Sequence, residues 1–372
     1  MTQVTVIVKA LNEEQRIGAC LRAALLALQG LDAEVLVVDS VSTDRTVALA
    51  RAYPVRIVQF DEPAQRGCGA AVELGWRHAR GDFIYVLDAD MLLQPGFVQQ
   101  ALAWLQAHPR VAAVGGNLVD THLRTQADRQ RARIAAGLLA PREVDELGGG
   151  GLYRRSAIAQ AGYLAHLSLA AYEEAELGVR LRALGWALVR LPQTAVLHEG
   201  HAETNRQMLA RLWANGRAQS GAVFLKSAWG KPWFARVLRK LWHILAVPLA
   251  HAVALGLAAA GAWRALAGGG ADACADAGAG ACADAGAGAL AGAGAGAAGD
   301  ALVAGLAAWA GFWLLLLGAL ALRRGSLRQA VWQLVLWHYW AAGTLAGMGQ
   351  RVGDPRGPIP AHELGADAGA AP

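Results

Sequence analysis

Between Leu241 and Met348 the chain passes through three stretches, Leu241–Trp263, Ala301–Leu322 and Val331–Met348, that contain no Asp, Glu, Lys or Arg. Each approaches the roughly 17 to 25 residues needed to cross a bilayer, and in hydrocarbon a helix satisfies its own backbone groups within one segment. Three transmembrane helices are expected, at about 241–263, 301–322 and 331–348. The loop after the first carries Asp272, Asp276, Asp284 and Asp300 against Arg264, whereas Arg323, Arg324 and Arg328 join the second and third. Because basic residues favour the cytoplasmic face, the first helix should start inside, the acidic loop lie outside, and the C-terminus end outside, an end that Arg351 and Arg356 oppose. The unit Ala-Cys-Ala-Asp-Ala-Gly-Ala-Gly at 273–280 recurs at 281–288. Its low complexity predicts a disordered loop over 268–300.

Just ahead of the first apolar stretch, residues 206–240 carry Arg206, Arg211, Arg217, Lys226, Lys231, Arg236, Arg239 and Lys240 but no acid, interleaved with Trp213, Phe224, Trp229, Trp233 and Phe234. Aromatic rings suit the headgroup region and basic side chains attract anionic lipid, so this segment reads as interfacial. The net charge of +5 is thereby assigned to a membrane surface, and with no recognisable nucleic-acid module, nucleic acid is excluded as a partner. Cys20, Cys68, Cys274 and Cys282 show no C-x-x-C spacing, which supports neither a zinc site nor a disulfide framework. No charged start, apolar run and cleavage site precede the first strand, so the N-terminal half is expected to be cytoplasmic.

That half alternates β-branched runs with helical patterns, the signal of an α/β domain on a mostly parallel sheet. Strands are expected at Val4–Val8, Glu34–Asp39, Val55–Phe60 and Phe83–Leu87, with helices at Gln15–Leu28 and Asp44–Ala52. In open sheets of this kind ligands bind beyond the carboxyl ends of the strands. Asn12, Glu13 and Glu14 follow the first strand, Asp39 ends the second, and Asp88 and Asp90 follow the buried run at 83–87. In extended chain Asp88 and Asp90 share a face. Two carboxylates so placed suit a hard cation that keeps open positions for water and phosphate, although Asp also fills turns and caps.

The ordered motifs from Val4 to His198 resemble family 2 glycosyltransferases of the GT-A fold. Val6-Ile7-Val8-Lys9-Ala10-Leu11-Asn12-Glu13-Glu14 resembles the family's opening strand and Asn-Glu pair, with Lys9 in place of the usual Pro and Leu11 in place of Tyr. The segment from Val37 to Thr46 resembles the nucleoside-binding strand and turn, with Val41 where Gly is usual; the resemblance puts Asp39 on the base or ribose. Arg66-Gly67-Cys68-Gly69-Ala70-Ala71 resembles the Gly-rich segment ahead of the metal strand, and Gly81 to Asp90 the strand into the Asp-x-Asp motif. The resemblance therefore implies a nucleotide-sugar donor on Asn12, Glu13, Asp39, Arg66, Gly67, Asp88 and His198. It also implies Mg²⁺ or Mn²⁺ on Asp88, Asp90 and His198.

An acceptor hydroxyl needs a base. Glu173-Glu174-Ala175-Glu176-Leu177 resembles the family's Glu-Asp-x-Asp-Leu segment, which puts Glu174 at the base position with Glu173 as the alternative. Glu176 and Arg180 are spaced as a structural i,i+4 pair. The glycines from 148 to 151, followed by Arg154, resemble the acceptor-side loop, implying Gly149, Gly150 and Arg154 near the acceptor. Gln207, Arg211 and Trp213 do not keep the Gln-x-x-Arg-Trp spacing of the family's membrane-embedded synthases, which favours transfer of a single sugar.

The expected protein is an inverting, membrane-anchored glycosyltransferase acting on a lipid-linked or envelope-polysaccharide acceptor at the inner, cytoplasmic membrane. Its parts are a GT-A domain at 1–205, an interfacial segment at 206–240, a membrane domain at 241–349 and a tail at 350–372. A sugar nucleotidyltransferase is the alternative enzyme. An inactive membrane scaffold is the alternative from another class, because Lys9, Val41 and Glu174 depart from the family pattern.

Overall fold

The computed structural model describes residues 3–200, 203–276 and 287–365, with side chains undescribed from 267 to 297. These divide into two units, one of 1–240 with 346–372 and one of 241–345. In the first, ten strands form one sheet: β1 Val4–Ala10, β2 Ala33–Asp39, β3 Arg56–Phe60, β4 Phe83–Asp88, β5 Met91–Leu93, β6 Val111–Asp120, β7 Arg142–Val144, β8 Gly151–Arg154, β9 Ala187–His198 and β10 Ala361–Leu364. The order is β10-β3-β2-β1-β4-β8-β6-β9-β5, with β7 on β9.

Strands β3, β2, β1 and β4 are parallel, as the alternating pattern predicts. The sheet as a whole is mixed, because β8 runs antiparallel to both β4 and β6, and β5, β7 and β10 are antiparallel as well. A parallel neighbour needs a long crossover, whereas β8 enters from the Gly-rich loop. Ile7, Leu36, Ile84 and Tyr85 are fully buried, as expected of strands covered on both faces. Helix Cys68–His78 lies close against the sheet: a Cβ on Gly75 would come within 2.4 Å of Ile7 Cγ2.

Residues 346–365 belong to this unit rather than to a separate tail. Arg77 donates to the carbonyl of Gly357 at 2.7 Å, Asp61 N–H donates to Pro360 O at 3.1 Å, Arg56 pairs with Glu363 at 2.8 Å, and β10 completes the edge beside β3. Covering an edge strand removes a template for unwanted pairing. Basic segment 206–240 also belongs here. Ser220 to Phe224 are buried in helix Ser220–Ser227, so that part is packed into the domain, while Trp229 stays 74% exposed.

The second unit contains helices His243–Asp276, Ala287–Arg324 and Leu327–Ala346. Among the described residues two segments, His243–Leu266 and Ala298–Arg324, are long and apolar enough to cross a membrane, each with mean hydropathy 2.0. The third expected span is not among them; Arg328, Gln333 and His338 dilute that helix. A C-terminus across a membrane from the first unit is incompatible with β10, which is a strand of that unit's sheet. The Ala-Gly-rich stretch is helical at 268–276 and 287–300, not a loop; the rest of it lies outside the described residues. Within the unit, His251 and His338 are joined through their Nε2 atoms at 3.0 Å, with the Trp313 ring 4.9 Å from His251. Polar pairing of this kind satisfies groups that hydrocarbon would leave unpartnered.

Candidate active site

The carboxyl ends of β1, β2 and β4 lie side by side, and the register sets Lys9 opposite Asp88 and Ala10 opposite Asp39. Asn12 follows β1 with a positive φ of 56° and holds the next turn: its side-chain oxygen accepts from Thr43 N–H at 2.8 Å, and its own N–H donates to Ser42 Oγ at 2.9 Å. Val41 in that turn has φ 59°, a conformation costly for a β-branched residue and suited to the glycine usual there. Asp39 is fully buried. Its Oδ2 accepts from Ser42 N–H at 2.9 Å and Gln59 Nε2 at 2.7 Å, while Oδ1 is buried with no hydrogen-bond partner. A buried acceptor left over in this way is costly until a ligand donor meets it.

Asp90 and His198 come together because β5 pairs Met91 with His198. His198 Nε2 is 3.3 Å from Asp90 Oδ2, and Nδ1 is 2.7 Å from Asp120 Oδ1. Burial alone would lower the imidazole pKa, but the two carboxylates push it up to about 8. Asp120 fixes the ring so that Nε2 faces Asp90, the orientation a metal ligand needs. Burial raises the Glu13 carboxyl to about 7, with Asp90 and Asp88 adding and Arg16, 2.7 Å away, opposing.

Asp88 is turned to a different partner. Lys9 Nζ lies 2.8 Å from Asp88 Oδ1 and 3.6 Å from Glu173 Oε1. Burial would lower the Lys9 pKa, but Asp88 and Glu173 hold it well above its ordinary value. Among the described residues no cluster of three or more His, Cys, Asp or Glu is arranged around a metal position. Two carboxylates and one imidazole are nevertheless the right donor types for Mn²⁺, and for Mg²⁺ through the oxygens, with Asp90 and His198 already adjacent.

Glu173 and Glu174 open helix Glu173–Ala183, where the helix dipole favours carboxylates. The preceding Tyr172 has φ 70° and stacks on Phe224 at 5.7 Å, and Ser220 Oγ accepts from Ala170 and Ala171 N–H. Burial, followed by the Glu173 charge, raises the Glu174 pKa to about 8, with Lys9 opposing. Glu176 takes the structural role its spacing implies: Arg180 Nη2 is 2.7 Å from Oε2, with both side chains buried.

The Gly-rich segments divide between packing and approach. A Cβ on Gly69 would lie 2.2 Å from the carbonyl of His166, so this glycine lets the helix at 68–78 close on the loop before Glu173; Gly67 caps that helix, and Arg66 beside it is exposed. Gly149 and Gly150 have φ 91° and 93°, and a Cβ on Gly150 would meet Val86 O at 2.8 Å. A small cavity behind them is lined by Lys9, Gly150, Tyr153, Glu173 and Glu174. Arg154 is not on this side. It pairs with Phe83 at the opposite end of β4 from Asp88, donates to Leu105 O and Val111 O, and stacks on the Phe83 ring. Four intervening steps of an extended strand separate it from Gly150 by more than 10 Å.

Three residues join the site without a motif to announce them. Lys9 reads in sequence only as a departure from Pro. Asp120 ends a strand whose partner could not be read from spacing. Arg217 is one of eight cations in the basic run, yet its guanidinium lies 3.7 Å from Cys68 Sγ; burial would lower its pKa, and Cys68, Glu173, Asp88 and Glu174 raise it.

The family model for glycosyl transferase family 2 matches residues 5–161. A glycosyltransferase of Mycobacterium tuberculosis is 30% identical over 204 residues, covering 50% of this chain and 83% of the relative. Dolichol-phosphate mannosyltransferase of Pyrococcus furiosus is 33% identical over 104 residues, covering 27% of this chain, and succinoglycan biosynthesis protein ExoO of Rhizobium meliloti is 41% identical over 138, covering 35%. The chain spans only 29% and 39% of the lengths of those two relatives. Among solved structures, the mannosyltransferase from Pyrobaculum calidifontis in complex with GDP-Man and Mn²⁺ has TM-score 0.55 at 23% identity, covering 93% of this chain and 87% of that one. This likeness concerns the fold.

Proposed function

Because this chain belongs to the family 2 glycosyltransferases, we propose that it moves a single sugar, with inversion, from a nucleotide-sugar to a lipid-linked or envelope-glycan acceptor at a membrane surface. The observation that carries this reading is the position of Lys9, 2.8 Å from Asp88 and 3.6 Å from Glu173. One side chain thereby joins the Asp-x-Asp turn to the acidic helix, so donor and acceptor chemistry share one site.

In this reading the nucleoside meets the unpartnered Oδ1 of Asp39, with Asn12 and Glu13 shaping the turn around it. Asp90 and His198, with Asp88, would hold Mg²⁺ or Mn²⁺, which when bound offsets the charge of the departing nucleoside diphosphate. Glu174 takes the proton of the acceptor hydroxyl as that oxygen attacks the anomeric carbon from the face opposite the diphosphate. Its raised pKa places it near the working pH, where a base combines availability with driving force. Glu173, tied to Lys9, is less free to do so. Gly149 and Gly150 leave room for the acceptor, and Arg217 adds positive charge next to the diphosphate.

Membrane attachment is supported by the two apolar segments at 243–266 and 298–324, whose Leu249, Leu315 and Leu322 are 64%, 77% and 87% exposed. Since the chain leaves the catalytic unit at Lys240 and rejoins it at Ala346, the segment between must cross an even number of times. Two crossings with the catalytic domain cytoplasmic meet that requirement. A lipid acceptor fits this setting, and one relative is named for dolichol phosphate.

The test is to incubate membranes holding the full chain with a panel of nucleotide-sugars and extract the lipids. A glycosylated lipid with nucleoside diphosphate release supports the reading. Pyrophosphate release from a sugar phosphate and a nucleoside triphosphate would identify a nucleotidyltransferase instead, and donor binding without turnover would identify a scaffold.

A further inference from the structure

The two carboxylates of the Asp-x-Asp turn are in opposite states. Asp90 is 13% exposed and already beside an imidazole, at 3.3 Å from His198 Nε2. Asp88 is 44% exposed, yet one of its oxygens is held by an ammonium at 2.8 Å. That ammonium is on a largely buried stem, 15% exposed, rising from the register position directly opposite Asp88 and steadied on its other side by Glu173. A cation so placed acts on a divalent ion twice: it occupies an oxygen the ion would use, and it repels the ion across a short, partly desolvated distance.

We propose that Lys9 is a resident cation that competes with the divalent metal for Asp88, so that without donor the metal binds weakly and on Asp90 and His198 alone. The inference rests on the metal reading above. A donor diphosphate brings negative charge that offers Lys9 another partner and supplies oxygens to the metal. Metal and nucleotide therefore bind with positive coupling, each strengthening the other by the same factor, as linkage requires. Lys9 is a positioning residue in this scheme. It sets the order in which the site fills and keeps a divalent ion from settling there unaccompanied.

The experiment is Mn²⁺ binding to the full-length protein in detergent, read by electron paramagnetic resonance of the free ion, with and without a nucleoside diphosphate. Lys9→Met keeps length and removes charge; it should tighten nucleotide-free Mn²⁺ binding by about tenfold or more, whereas Lys9→Arg should leave it weak. With saturating nucleoside diphosphate the wild type and Lys9→Met should converge to within about threefold. A second pair of variants does not depend on Lys9→Met folding. Asp90→Asn should abolish nucleotide-free binding, while Asp88→Asn should weaken it by less than about threefold, because Asp88 is already engaged. Equal losses in Asp88→Asn and Asp90→Asn, or unchanged affinity in a folded Lys9→Met protein, would overturn the role of Lys9 and leave the metal site standing. No Mn²⁺ binding by any variant, with or without nucleotide, would overturn the metal site itself.

Discussion

Under the proposed reading, the donor and acceptor ends of the site are built differently. At the donor end, side chains at strand termini hold one another in place: Asn12 on Thr43, Asp39 on Ser42 and Gln59, and His198 between Asp90 and Asp120. At the acceptor end the backbone does the shaping, through Gly149, Gly150 and Tyr172, all with positive φ, around a glutamate with a raised pKa. A diphosphate with fixed charge rewards polar groups set in advance. An acceptor that must enter and leave is better served by backbone that occupies little volume.

If the ends are separate in this sense, substitutions should divide by which measurement they change. The largest effect is expected from Asp90→Ala, which should lower transfer by about a thousandfold or more and abolish Mn²⁺ binding in a protein that still melts cooperatively. Glu174→Gln should reduce transfer by about a hundredfold to ten-thousandfold while donor affinity, measured by calorimetry, stays within about twofold; a matching loss of donor affinity would erase the division. The pH profile is expected to follow both ends together. The Glu174 carboxyl is raised to about 8, so below that value it is mostly protonated and cannot act as a base, and His198, also raised to about 8, frees Nε2 for the metal over the same range; transfer should climb with pH and level off above about 8. Gly150→Ala should cost about 1 to 3 kcal/mol of stability, read by thermal unfolding, and slow transfer more than it weakens donor binding. Arg154→Met should leave the kinetics of transfer unchanged and alter only stability, by about 1 kcal/mol.

The same contrast explains what could be read from the sequence. The parallel strands β1 to β4 follow from runs such as Val-Thr-Val-Ile-Val and Phe-Ile-Tyr-Val-Leu, and Asp39 and Asp88 end two of those strands, so a one-dimensional pattern already places them. Asp120 and His198 meet through pairing of β5, β6 and β9, which are far apart in sequence. Arg154 comes three residues after the last glycine of the loop, but the strand between them runs the length of its pairing with β4 and leaves the side chain at the end away from Asp88. Arg217 comes back to the site because the basic segment folds onto the domain, a packing event that charge density does not encode. The third apolar stretch satisfied a test of missing charges; its Gln333 and His338 and the return of β10 to the sheet count against it as a span.

The most direct test of the central claim, that one site joins donor and acceptor chemistry, is product analysis with a single labelled nucleotide-sugar that supports turnover, comparing wild type, Asp90→Ala and Glu174→Gln in membranes. The wild type alone should give a labelled lipid-extractable product and stoichiometric nucleoside diphosphate, with donor still bound by Glu174→Gln. Full transfer by either variant would contradict it.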